Sequence, residues 1–155
     1  MNYIIRDALP TDIDRLLRLF PRLAEFEIPE RRNPDHLWQG DAAALKAWAA
    51  GDVPDIFVKV AVDPQDTVLG VVMVRLRSEL LSYEPSAHLE VIVVAPEADG
   101  QGIGKALIHE AETAAYERGA RSITLHVFAK NERARHVYEK LGYSGELIRY
   151  IKHFE

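Results

Sequence analysis

The stretch "HLEVIVVAPEADGQGIGKAL" limits what this chain can fold into more than any other. An apolar, β-branched run reads as a strand buried on both faces. After a short turn come Gly100, Gly102 and Gly104, then a helical pattern with Ile103, Leu107, Ala111 and Ala114 on one stripe. Glycine in a helix costs about 1 kcal/mol against alanine, so three at a helix start need a reason. A helix N-terminus leaves four N–H groups unpaired and carries partial positive charge. Alternating glycines let several N–H groups converge, with no Cβ in the way of an anion. The expectation is a strand–loop–helix unit that holds a pyrophosphate; the alternative is a tight turn, for which one glycine usually suffices.

The pattern around this unit predicts an α/β domain. "YIIRDA" reads as a strand, and Thr11 or Asp12 caps a helix with Ile13, Leu16, Leu17 and Phe20 at helical spacing. Pro21 should kink or end it. Asp41 can cap a second helix, "AAALKAWAA". "IFVKVAV" and "TVLGVVMVRLR" form a hairpin across "DPQD", and "SITLHVF" is a further strand. "NERARHVYEKLG" is a short helix with Ala134, Val137, Tyr138 and Leu141 on one face, and "LIRYIKHF" closes the chain as a strand. The order is βα(α)ββ, then βαβαβ, on a mixed sheet.

Composition narrows the function. The formal net charge of −5, from 19 basic and 24 acidic residues, argues against a nucleic-acid binder. Any phosphate must then be held by local groups. There is no cysteine, and the six histidines show no metal-ligand spacing, so no metal is expected. The chain has neither a membrane-length apolar run nor a secretory leader, which makes a cytoplasmic address the default.

Spacing removes two familiar phosphate loops. A Walker loop would need glycine at Asp99 and Ser or Thr at Ala106. A dinucleotide fingerprint would need glycine at Lys105 or Leu107. What "VIVVAPEADGQGIGKAL" resembles closely is the Q/R-x-x-G-x-G/A motif of the GNAT superfamily of N-acetyltransferases, with Gly102 and Gly104 in the defining places. The resemblance spans roughly the last 70 residues and, more loosely, the whole order of elements. It implies one GNAT domain over residues 1–155, with a central, mostly antiparallel mixed sheet flanked by helices. Two splayed strands would admit acetyl-CoA as cosubstrate. It assigns the pyrophosphate to Gly100, Gln101, Gly102, Ile103, Gly104 and Lys105, and the pantetheine arm to Ile92, Val93 and Val94. Asp99 departs from the family, which has Gln or Arg there; an ionised carboxylate facing the cofactor would repel it.

The implied reaction is direct attack of a neutral amine on the thioester. The resemblance maps Asn131 to a cofactor contact and Tyr138 to the acid that protonates the departing thiolate. The alternatives are a helix cap for Asn131 and a core position for Tyr138. Glu90 interrupts an otherwise apolar strand. It is the candidate base, working through water, unless it forms a structural pair with Arg75, Arg77 or a histidine. His88, two residues away on the same face, is a partner in a proton chain or an exposed strand end. The acceptor is expected between roughly Glu25–Gln39 and Leu80–Ser86. There Glu25, Glu27, Glu30, Glu79 and Glu84 suit a cationic amine, and Trp38 or Tyr83 could line a pocket; a solvated acidic surface explains the same residues. The leading reading is an acetyl-CoA-dependent N-acetyltransferase for a primary amine of a small molecule or peptide. The rivals are an acetyl-CoA sensor without turnover and a partner-binding domain retaining only the fold. A homodimer stays open.

Overall fold

The computed structural model describes residues 2–155. Its sheet has five strands in sequence order: β1 (Ile4–Asp7), β2 (Ile56–Val62), β3 (Val68–Ser78), β4 (Pro85–Val94) and β5 (Ile123–Leu125). The first four pair antiparallel, and β5 lies parallel to β4. Helices α1 (Ile13–Leu17) and α2 (Gln39–Ala49) contribute to one core layer, whereas α3 (Ile103–Glu117) packs on the other face. Helix α4 (Glu132–Lys140) follows β5 and sets Tyr138 against the α3 layer. No described helix is long and apolar enough to cross a membrane.

The β-branched runs became the strands they predict, because each alternates between two apolar layers. Val58, Val60, Val71 and Met73 face the α1/α2 core, and Ala61, Leu69, Val72 and Val74 the α3 core. The first helix is shorter than its pattern. It ends at Leu17, and Phe20–Ala24, which contains Pro21, continues as a 3₁₀ turn. Asp12 does not cap forward. Its buried carboxylate accepts from Leu9 N–H and is held by Arg6 and Arg15, which keep its pKa well below the ordinary range.

Two expectations fail at the C-terminal end. β5 ladders over three residues only, although "SITLHVF" has seven with strand character. "LIRYIKHF" forms no strand at all, and Tyr150 and Phe154 are each 89% exposed. Alternation gives a segment the propensity for a strand, but a strand also needs a partner edge. Val137, expected on the buried stripe of α4, is 41% exposed.

The feature that positions the site is a bulge. Met73 pairs with Val91 and Val74 with Leu89, so Glu90 is an extra residue in β4 with no opposite number. The alternation reverses across it: Leu89 points into the α3 core, whereas Val91 points into the α1/α2 core. The pairing of β4 with β5 covers Ala87–Leu89 and ends where the bulge begins. A bulge bends and twists its strand, and beyond it the β5 side of β4 carries no partner strand. That is the splay implied for the fold.

Candidate active site

The glycine loop lies where β4 runs out of the sheet. Gly100 and Gly102 both have φ +77°, a left-handed conformation that side-chain-bearing residues rarely adopt, and neither has anything within 4 Å of where a Cβ would sit. The first bond of α3 runs from Ala106 N–H to the Gly102 carbonyl. No N–H group of residues 100–105 has a protein acceptor, and all six precede that bond at the positive end of a 15-residue helix. A run of unpaired donors, with open space at Gly100 and Gly102, fits a diphosphate.

Val93 and its neighbours divide between two tasks. Ala95 N–H bonds to the Leu69 carbonyl, so in this antiparallel ladder Val93 also turns its backbone groups towards β3. Ile92 and Val94 turn theirs the other way, into the splay. The Val94 carbonyl is taken by the Arg22 guanidinium. The Ile92 carbonyl and Val94 N–H are left to pair with an extended ligand.

Glu90 sits on the α2 side of the sheet. Arg75 Nε donates to its Oε1 at 3.4 Å, which realises the ion-pair alternative, and the Glu90 side chain keeps 22% of its surface open. Asp41 faces the same spot. Helix α2 starts two residues before Asp41, so this carboxylate lies in the first turn and does not cap it. Burial, with the nearby charge of Glu90, pushes the Asp41 pKa up to about 6, while Arg75 opposes the shift. His88 is only 6% exposed, because β4 begins three residues before it rather than at it. Its Nδ1 lies 2.7 Å from Thr124 Oγ1, its ring packs on His126 at 4.6 Å, and burial lowers its pKa.

The pKa of Asp41 carries a stability prediction. A carboxyl with a raised folded pKa contributes stability that is complete below its unfolded value near 3.8 and is lost as pH rises through about 6. Asparagine does not titrate. Asp41→Asn should therefore gain melting temperature relative to wild type between pH 4 and pH 7, with the difference level above that. Parallel melting profiles across this range would contradict the assignment.

Tyr138 is half-buried against the α3 core and edge-on to Tyr143, ring centres 6.0 Å apart. Burial alone raises its pKa, with no side-chain hydrogen bond contributing. Tyr143, by contrast, is bound, donating to Glu112 at 2.7 Å. Asn131 caps α4, its Oδ1 accepting from Ala134 N–H at 3.3 Å. Its amide nitrogen takes no part in this cap.

Of the acceptor-side residues, Phe26 stacks on Phe128 at 5.4 Å and so brings the 25–39 segment to the end of β5. Trp38 packs on the α1/α2 core. The other half of the expected acceptor site lies elsewhere: Tyr83 is 79% exposed and lines a shallow cleft with Arg118 and Ala120 beyond the C-terminus of α3. Glu79 accepts from the N–H groups of Leu81 and Ser82, fixing the β3–β4 turn. Sequence reasoning missed Arg22 and undervalued Asp41. An arginine and an aspartate on helical turns carry no signal of what they will face.

Comparison with known proteins bears on this arrangement. The family described as "Acetyltransferase (GNAT) family" matches residues 15–143. Thialysine N-epsilon-acetyltransferase of Bos taurus is 32% identical over 149 residues, 90% of this chain and 82% of that one. Mycothiol acetyltransferase of Renibacterium salmoninarum is 31% identical over 85 residues, 55% of this chain and 25% of that one. A solved structure from Pyrococcus furiosus, assigned to the acetyl transferases, superposes with a TM-score of 0.80 at 25% identity, covering 99% of this chain and all of that one. The chain belongs to the GNAT family and is an acyltransferase, for which the family implies acetyl-CoA as cosubstrate.

Proposed function

We propose that residues 1–155 form one catalytic domain that transfers the acetyl group of acetyl-CoA to a primary amine of a small molecule. The observation that carries this is the run of unpartnered N–H groups at residues 100–105, set at the mouth of the β4–β5 splay. When bound, acetyl-CoA supplies an acetyl group already activated as a thioester. Gly100 to Lys105 hold the diphosphate through their backbone donors, and the Ile92 carbonyl and Val94 N–H align the extended arm. Asn131 offers its amide nitrogen beside it. Glu90 accepts the proton of the acceptor ammonium through water, which matters because a primary amine has a pKa of about 10. Tyr138 holds its proton at neutral pH and delivers it from its hydroxyl to the departing sulfur.

The acceptor class rests on two supports. Thialysine N-epsilon-acetyltransferases match nearly the whole chain, and thialysine offers an amine at the end of a flexible side chain. Asp41 and Glu90 set two carboxylates against one arginine, a balance that favours a cationic guest. The test incubates the protein with acetyl-CoA and a panel containing thialysine, lysine, short diamines and an N-terminal peptide, reading free CoA thiol. Amine-dependent release, highest with the small aminoalkyl compounds, is expected. Release from the peptide alone would overturn the acceptor class, and no release from any amine would overturn the reaction.

Glu90→Gln separates base from brace. As a base, its loss should slow turnover about tenfold at pH 6.5 and much less near pH 10, where the amine is already neutral. A defect of equal size at both pH values, with a lower melting temperature, would make Glu90 only the partner of Arg75.

A further inference from the structure

Asp99 poses a problem that the site alone does not solve. It stands at the head of the glycine loop, where a carboxylate works against a diphosphate. The structure pairs it. Arg22 Nη2 donates to Asp99 Oδ2 at 3.2 Å, Nη1 donates to the Val94 carbonyl, and Nε donates to Glu25 at 3.0 Å. One guanidinium thus uses all three nitrogens to join the 3₁₀ turn after α1, the end of β4 and the loop leading into α3. Its side chain is 23% exposed, which strengthens these bonds against solvent competition.

We propose that Arg22 is a positioning residue that strengthens this loop's hold on a diphosphate, by neutralising Asp99 and holding its carboxylate to the side of the N–H cradle. The proposal rests on the acetyl-CoA reading and adds to it the residue that offsets the acid at the loop's head. The charge is supplied by a distant segment, 77 residues earlier in the chain, instead of by the loop itself. Three groups are involved: with Arg22 present, two carboxylates face one cation; without it, two carboxylates face none. The bond to Val94 contributes separately, because it keeps the guanidinium aligned on the β4 edge. The arrangement also decides the effect of Asp99→Arg. Two guanidinium groups would then meet at the site of the present ion pair, so that variant gains nothing at the loop.

The test is calorimetric titration of CoA into wild type and four variants, at low and high salt, with melting temperatures recorded for each. Arg22→Ala should weaken CoA about fivefold at low salt, and the loss should shrink as ionic strength rises. Arg22→Gln retains an amide donor for the Val94 carbonyl without the charge, and should lose nearly as much while melting close to wild type. Asp99→Asn alone should change affinity less than twofold. Added to Arg22→Ala, it should restore most of the loss, since the carboxylate to be neutralised is gone. A double variant as weak as Arg22→Ala would overturn the proposal, as would an Arg22→Gln protein that binds like wild type. Failure of the wild-type protein itself to bind CoA would instead sink the acetyl-CoA reading.

Discussion

Tyr138→Phe should lower kcat about hundredfold while leaving CoA affinity and melting temperature near wild type. No hydrogen bond contributes to the Tyr138 hydroxyl's shifted pKa, so removing that oxygen leaves no buried group without its bond. The ring and its edge-on contact with Tyr143 are kept. What is lost is the proton. A thiolate leaving unprotonated forfeits general-acid assistance, typically worth 10²–10⁴-fold, and water in the splay would recover part of it. Burial holds the tyrosine pKa above its ordinary value, which keeps the acid loaded throughout the neutral range. A loss confined to kcat marks a group acting only in the transition state. Wild-type turnover in a folded Tyr138→Phe protein would return Tyr138 to a packing role.

Gly102→Val should weaken CoA thirtyfold or more, on the order of 2 kcal/mol, in a protein that still folds. Gly102 has φ +77° and occupies open space, so the added side chain meets no core residue. The cost is in the backbone. A β-branched residue in the left-handed region loses about 1–2 kcal/mol, and the loop can escape only by rotating its N–H groups out of register. If it does not rotate, the isopropyl group stands where the diphosphate must approach. Both routes empty the cradle. Gly102→Ala should fall between the two, having the strain without the bulk. Calorimetry checks this directly; unchanged affinity in a folded Gly102→Val protein would remove the diphosphate from this loop.

These effects fall on a site whose parts were unequally legible. Gly102, Gly104 and the helix stripe behind them are a local code: neighbours in sequence are neighbours in space, and the unpaired N–H groups follow from starting a helix at Ile103. The same holds for the strands from Ile56 to Val94, whose apolar, β-branched runs carry their burial on both faces with them. Tyr138 was singled out by the resemblance of the motif around it, whereas the apolar stripe of its helix pointed only to a packing position.

The bulge at Glu90 was decided elsewhere. "HLEVIVV" reads in sequence as one continuous strand, and only pairing with β3 makes Glu90 an extra residue and reverses the facing of everything after it. The splay depends on that reversal and on how soon β5 stops. Asp41 was legible as a residue at the start of α2, but its pKa near 6 comes first from the burial that the fold imposes on it and then from the β4 carboxylate nearby. Asp99 shows the limit most clearly. Read along the chain, it is an acid at the head of a phosphate-loop pattern, with Lys105 and Arg135 the cations nearest in sequence, and its charge works against the loop's purpose. In the folded protein a guanidinium 77 residues away lies 3.2 Å from it. Backbone geometry and burial periodicity are properties of consecutive residues, so the sequence alone determined the fold class and the glycine loop at the start of α3. The electrostatic balance of the site is a sum over groups brought together by long-range packing, and only the tertiary structure decided it.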